Sequence, residues 1–326
     1  MTEPFANANE LTYKKEKTMS YTFDLAAVDI SKETLEVQTE QETFTLPNTR
    51  SGISSLLRKQ SSKNPFVICE ATGGYERLLM DMCNEQEVPI CRTNPARIRA
   101  FAHSEGIRAK TDPIDASMIL RFAKEKDLRP TLPPDPIRKR LAALLDRRNH
   151  LKEEAVREKN RIQNSPAEIH ESIDRILLVL KEEIAQIEKL IRETVSANEK
   201  IASQVCCLES ISGVGEVTAW TIVAFLGEIS LLTRNQLVAL AGVAPFNRDS
   251  GKFRGQRRII GGRGKVRTVL YMAATTAAVH NPVIREYVER LRERGKPYKC
   301  AIVAAMRKML IHMQSELKKN ELALAI

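Results

Sequence analysis

Asp29, Glu70, Asp112 and Asp115 stand in three short settings, LAAVDISKE, PFVICEATGG and KTDPIDA. Carboxylates so placed can do metal-assisted phosphodiester chemistry. Asp29 and Glu70 each close a short β-rich run, LAAVDI and FVICE, so their side chains are predicted to project from the ends of neighbouring strands. Asp112 and Asp115 open a predicted helix and, three residues apart, share one of its faces. Clustered acids repel unless a cation sits among them, and oxygen ligands with open water positions are what Mg²⁺ (or Mn²⁺) needs for phosphoryl transfer. Each piece also has a plainer explanation. Asp112-Pro113-Ile114-Asp115 fits an ordinary helix start, with Asp at the N-cap and Pro at the first helical position. Asp29 before Ser31 fits a turn. Glu70 is harder to explain away, because an ionisable group ending the apolar run FVIC loses hydration. Their joint occurrence favours a site.

A second constellation lies towards the other end. Between Phe246 and Arg267 stand Arg248, Lys252, Arg254, Arg257, Arg258, Arg263, Lys265 and Arg267 against one acid, Asp249, with five glycines among them. Cations on a turn-prone chain can follow a phosphate backbone closely, although a solvated loop has the same composition. Within it, Ser250 in Asp249-Ser250-Gly251 is ordinary turn chemistry by itself. Surrounded by guanidiniums, the same hydroxyl would sit where phosphates are held and its alkoxide would be stabilised. No His stands nearby as its base, which leaves a metal-bound hydroxide or one of the first-half acids. Gly213-Val214-Gly215 falls between two apolar-periodic helices in a pattern like the helix-hairpin-helix element. There a glycine turn lets backbone N–H groups approach a phosphate, or simply connects two helices tightly.

The elements that position these residues follow from the patterning. The chain has 326 residues, 43% of them hydrophobic and 28% charged, enough for a sizeable core in more than one domain. Its net charge of +10 favours a polyanionic partner. No run approaches the length needed to span a bilayer and the N-terminus has no signal-peptide core, so a cytoplasmic protein is expected. Cys69, Cys83, Cys91, Cys206, Cys207 and Cys300 lie in apolar stretches without CxxC spacing and are expected to be reduced packing residues. Trp220 lies in an apolar helix and reads as core rather than a base-stacking platform. Three strands are predicted within 21–46, then a helix near 50–59, strand 65–70, helix 75–86, strand 88–92 and helices near 95–103 and 113–125. That βββαβαβα order suits a mixed sheet covered by helices. Prolines 130, 133, 134 and 136 break the chain. Beyond them, 137–205 is helical, with Ile169, Ile173, Ile176, Leu180, Ile184, Ile187 and Ile191 making an apolar stripe for a hairpin, turning at Asn164-Ser165-Pro166, or for a dimer. The division expected is a disordered tail at 1–18 (or a start at Met19), an α/β domain at 19–130, a helical, coiled-coil-like linker and oligomerisation region at 131–205, and a mainly α domain at 206–326.

The acid placement and strand order resemble the RNase H-like fold in its RuvC-like form. Taken with SEGIRAKTDPIDA, LESISGVGEVTA, ALAGVAPFNRDSGKFRG and RTVLYMAA, the motifs VDISK and CEATGGY make the chain similar to the DEDD-type transposases of the insertion sequence one-hundred-ten family, over about residues 19–315. The resemblance implies that Asp29, Glu70, Asp112 and Asp115 hold Mg²⁺ and that Ser250 attacks DNA to give a phosphoserine link. It implies nucleic-acid contacts from the basic residues named above and from Gly213 and Gly215. It further implies double-stranded target and donor DNA, an element-encoded non-coding guide RNA that reads sequence by base pairing, and a bacterial, nucleoid-associated homo-oligomer, a dimer or a synaptic tetramer. In such an assembly the acids of one subunit meet the serine of another. Two other readings stay open from the residues: a metal nuclease in which Ser250 is a loop residue, and a non-catalytic nucleic-acid-binding protein whose acids are caps.

Overall fold

The computed structural model describes residues 23–60, 64–106, 112–131, 133, 135–246 and 258–324. The expected tail at 1–18 and Met19 lie outside the described residues. The chain divides into two compact units, Met1–Pro133 and Pro134–Ile326.

The first unit carries β1 (Asp24–Ile30), β2 (Thr34–Gln38), β3 (Thr43–Pro47), α1 (Arg50–Gln60), β4 (Pro65–Glu70), α2 (Arg77–Glu85), β5 (Ile90–Thr93), α3 (Pro95–Ser104) and α4 (Asp112–Glu125). The strands lie in the order β3-β2-β1-β4-β5. The first three form an antiparallel meander because hydroxyls close their turns: Ser31 Oγ accepts from the Thr34 N–H at 2.8 Å and Thr39 Oγ1 from the Glu42 N–H at 3.1 Å. β4 and β5 run parallel to β1, the direction that the helical crossovers α1 and α2 impose. Alternation then sorts the side chains. Val28, Leu35, Val37, Val67 and Cys69 pack with Ile53, Leu56 and Leu79, whereas Ala27, Phe66 and Ile68 pack with Phe101, Ile119 and Phe122. By the two-residue period, Asp29 and Glu70 belong to the face covered by α3 and α4.

The second unit holds α5 (Pro136–Ile162), a 3-10 turn (Ala167–Ile169), α6 (His170–Ser196), α7 (Glu199–Glu209), α8 (Glu216–Phe225), α9 (Arg234–Leu240), β6 (Pro245–Phe246), β7 (Arg258–Ile259), α10 (Gly264–His280), α11 (Pro282–Glu293) and α12 (Tyr298–Leu324). Asp135 caps α5 by accepting from the Ile137 and Arg138 N–H groups, with Pro136 at the first helical position. The break at Asn164-Ser165-Pro166 is a hairpin turn, and Arg148 Nε donates to Glu188 Oε1 at 2.7 Å across the α5–α6 pair. Leu141, Leu145 and Ile191 share one core with Trp220, Leu270 and Leu310, so the helical segment and the C-terminal helices are packed as one body. Trp220 is fully buried, as its apolar helix predicts. Among the described residues no helix is long and apolar enough to cross a membrane.

Two expectations need correction. The stripe does not run unbroken from 169: Ile169 sits in the 3-10 turn before α6, and within α6 Ile173 and Ile191 are buried, Leu180, Ile184 and Ile187 half-buried and Ile176 exposed. Nor are all six cysteines packing residues. Cys69, Cys83 and Cys91 are buried, whereas Cys206 and Cys300 fall on exposed helix faces. An apolar sequence neighbourhood does not decide which side of a helix faces the core.

Candidate metal centre

The paired register of β1 and β4 ends at Val28 opposite Cys69, and the next residues along the two strands are Asp29 and Glu70. Both are half-buried. Parallel neighbours lie about 4.8 Å apart, so the topology brings these two carboxylates together at the carboxyl edge of the sheet. Asp29 Oδ1 accepts from the Ile30 N–H at 3.0 Å. On its other side Asp29 stands directly across from Glu36 of β2. That third acid escaped the sequence reading; its signal is the alternation of TLEVQ, which puts Leu35 and Val37 on one face and Glu36 on the other. Among the described residues no three of His, Cys, Asp or Glu converge closely enough to hold a metal.

The remaining pair, Asp112 and Asp115, stands in the first turn of α4, a helix whose Ile119 and Phe122 pack on the same side of the sheet as Ala27 and Ile68 and whose Lys124 pairs with Glu40 at 2.7 Å. The side chains of Asp112 and Asp115 lie outside the described residues. Asp29 and Glu70 offer hard oxygen donors, which suit Mg²⁺ or Mn²⁺. The neighbouring thiols do not compete: Cys69 points to the opposite face and burial holds its thiol far above the ordinary range, while burial pushes Cys83 up to about 12.

The loop after Glu70 is held from within by Glu76, which is 3% exposed. Its carboxylate accepts from the Gly74 N–H at 2.8 Å, from the Thr72 N–H at 3.3 Å and from Thr72 Oγ1 at 3.1 Å, and faces Arg92 at 3.4 Å. Gly73 and Gly74 have φ of +77° and +130°, which only glycine adopts freely. Burial raises the Glu76 pKa, but hydrogen bonds from its own N–H, from Gly74 and from Thr72 outweigh it and leave the group below the usual carboxylate range. A depressed folded pKa gives stability that is present above the unfolded value of about 4.3 and is lost as pH falls through the folded one. Glu76→Gln is expected to destabilise the first unit by about 2–4 kcal/mol at pH 7. Urea unfolding at several pH values checks this: the gap between parent and variant narrows below about pH 4, and a gap independent of pH contradicts it.

In the second unit Ser250, Arg248, Lys252, Arg254 and Arg257 lie outside the described residues. Arg258 is exposed on β7. The other three cations have partners inside the fold. Arg263 donates to the Phe225 carbonyl and pairs with Glu228 at 2.5 Å. Lys265 pairs with Asp146 and lies 4.9 Å from the centre of the Phe225 ring, and Arg267 donates to the Gly261 carbonyl at 2.6 Å. Gly213, at φ +98°, makes the turn between α7 and α8, and a Cβ there would lie 2.6 Å from Ala277 Cβ of α10. Gly215 is the exposed N-cap of α8, where Arg192 makes two bonds of 2.9 and 2.8 Å to Glu216 and so holds that carboxyl below its usual range.

Comparison with known proteins bears on both units. Residues 21–170 match a transposase model of the DEDD IS110 type and residues 206–289 match the model of the IS116/IS110/IS902 transposase family. The chain is 26% identical over 306 residues to the pilin gene-inverting proteins of Moraxella lacunata and Moraxella bovis, covering 90% of this chain and 95% of each relative. A solved structure of T. thermophilus RuvC in complex with a Holliday junction substrate shares 13% identity at a TM-score of 0.25, covering 33% of this chain and 99% of that one, a likeness too slight to bear on fold or function. With IS110-type transposase models matching both residues 21–170 and residues 206–289, the chain belongs to the IS110 family of transposases.

Proposed function

We propose that this chain is a DNA recombinase that cuts and rejoins strands at a divalent-metal centre, Asp29, Glu70, Asp112 and Asp115 supplying its ligands. One observation carries the reading: the parallel register that sets Asp29 beside Glu70 at one sheet edge, on the side of the sheet that α4 covers. The strand order β3-β2-β1-β4-β5 supports an RNase H-like assignment of that sheet. Family membership and relatives named for gene inversion support recombination, by inversion or transposition, as the outcome. Bound Mg²⁺ or Mn²⁺ would neutralise charge on the phosphoryl oxygens in the transition state. Asp29 and Glu70 would orient that ion, and the exposed Arg258 would help to hold the DNA backbone.

In the finer reading Ser250 is the nucleophile. Its Oγ forms a bond to phosphorus as the bond from phosphorus to one strand end breaks, the released strand oxygen takes a proton, and the strand is held as a phosphoserine until rejoining. Sequence choice is delegated to an element-encoded non-coding RNA, and the working particle is a homo-oligomer. The sequence resemblance supports these points. Ser250→Ala is expected to eliminate a covalent protein–DNA adduct that the parent protein forms on element-end DNA, read as a denaturation-resistant band shift. Unchanged cleavage by Ser250→Ala removes the serine from the chemistry and leaves a metal nuclease.

A further inference from the structure

The backbone pairing that aligns β1 with β4 stops one residue short of the two acids, at Val28 and Cys69. Asp29 and Glu70 still pair outward, with Glu36 of β2 and Thr93 of β5, but not with each other, so the turn after β1 and the loop after β4 help to decide how far apart they are held. One side chain reaches both. Asn48, between β3 and α1, donates from Nδ2 to the Ser31 carbonyl at 3.0 Å and to the Tyr75 carbonyl at 3.2 Å. Ser31 follows Asp29 by two residues and Tyr75 follows Glu70 by five. The Asn48 backbone is fixed as well, its N–H donating to the Glu33 carbonyl at 2.8 Å within the β1–β2 turn. The orientation of the amide is set by chemistry, since two carbonyls can accept only from its NH₂ end. Its Oδ1 is buried and finds no hydrogen-bond partner among the described residues.

The rest of the loop is rigid enough to pass this constraint on. The Ala71 N–H donates to the Thr93 carbonyl at 3.1 Å, and Glu76 grips Thr72 and Gly74. Movement of Tyr75 is thus resisted at several points between it and Glu70. On the other side, Ser31 is locked into its turn by the Thr34 N–H.

We propose that Asn48 is a positioning residue for the metal centre, its amide tying the turn after Asp29 to the loop after Glu70 and so fixing the spacing of the two carboxylates. The inference rests on the metal reading given above. It is tested by Mn²⁺ binding to the metal-free full chain, followed by the loss of the free-ion electron paramagnetic resonance signal, with Asp29→Asn as the reference variant. Asn48→Ala and Asn48→Leu, neutral replacements of different bulk that both lack the donors, are expected to bind Mn²⁺ about ten-fold more weakly. Deuterium uptake is expected to rise in both 31–34 and 71–75, with the melting temperature kept. Unchanged Mn²⁺ binding in both variants, alongside its loss in Asp29→Asn, overturns the role of Asn48 and leaves the metal reading standing. Parent-like binding by Asp29→Asn removes the metal reading and this inference with it. Weaker binding accompanied by lost protection throughout the first unit in both variants assigns Asn48 to folding instead and also overturns the proposal.

Discussion

Asp29→Asn is expected to lower strand cleavage by at least about a thousand-fold while DNA binding and folding are kept. The replacement keeps the shape and removes the charge. Loss of a ligand that sustains several kcal/mol of transition-state charge stabilisation translates into that factor. The structure adds a signature that a purely structural aspartate would not give. Asp29 stands directly across from Glu36 and beside Glu70, and like charges so placed repel. Without metal, this repulsion offsets part of what Asp29 contributes to the fold, so Asp29→Asn is expected to change stability by no more than about 1 kcal/mol. Activity lost at nearly unchanged stability is what a site held for function shows. Glu70→Gln is expected to behave alike. Cleavage at the parent rate by either variant contradicts the metal centre, and a large loss of stability marks the residue as a fold element.

The second large effect lies at the neck of the basic segment. β6 pairs with β7, Arg263 N–H donates to the Leu240 carbonyl at 2.8 Å, and Gly242 and Gly262 meet backbone to backbone beneath this ribbon. A Cβ on Gly262 would lie 2.2 Å from Gly242 N and 2.3 Å from its Cα, at a φ of +73°. Those neighbours are main chain and cannot swing aside, so the ribbon must open or the turn after α9 must move. Gly262→Ala is expected to cost at least about 3 kcal/mol, combining left-handed backbone strain with steric conflict. Urea unfolding measures it. Gly264→Ala serves as the control, since nothing lies within 4 Å of a Cβ built there. Equal stability of the two variants contradicts the clasp.

Much of the first unit was legible because its signals are local. The runs LAAVDI and FVICE are apolar, β-branched and ended by acids, and both became strands whose last residues include those acids. The triplet Asn164-Ser165-Pro166 announces a hairpin turn because proline, lacking an N–H and carrying a ring that clashes with the preceding turn, stops a helix. What stayed hidden depends on pairing across long stretches of sequence. The 41-residue offset that sets Asp29 beside Glu70 is a property of the sheet register, as is the placement of Glu36. The amide of Asn48 acts on carbonyls 17 and 27 residues away. Counting cations between 246 and 267 revealed their density but not that Glu228 and Asp146 neutralise Arg263 and Lys265. Cys206 and Cys300 read as core because thiols are usually buried, yet helix phase turns them outward.

The most direct test of the metal centre is anomalous X-ray scattering from Mn²⁺ bound to the protein on its DNA. The account predicts a peak about 2.1 Å from a carboxylate oxygen of Asp29 and from one of Glu70. Mn²⁺ density that touches neither side chain, in crystals that cleave their DNA, contradicts it.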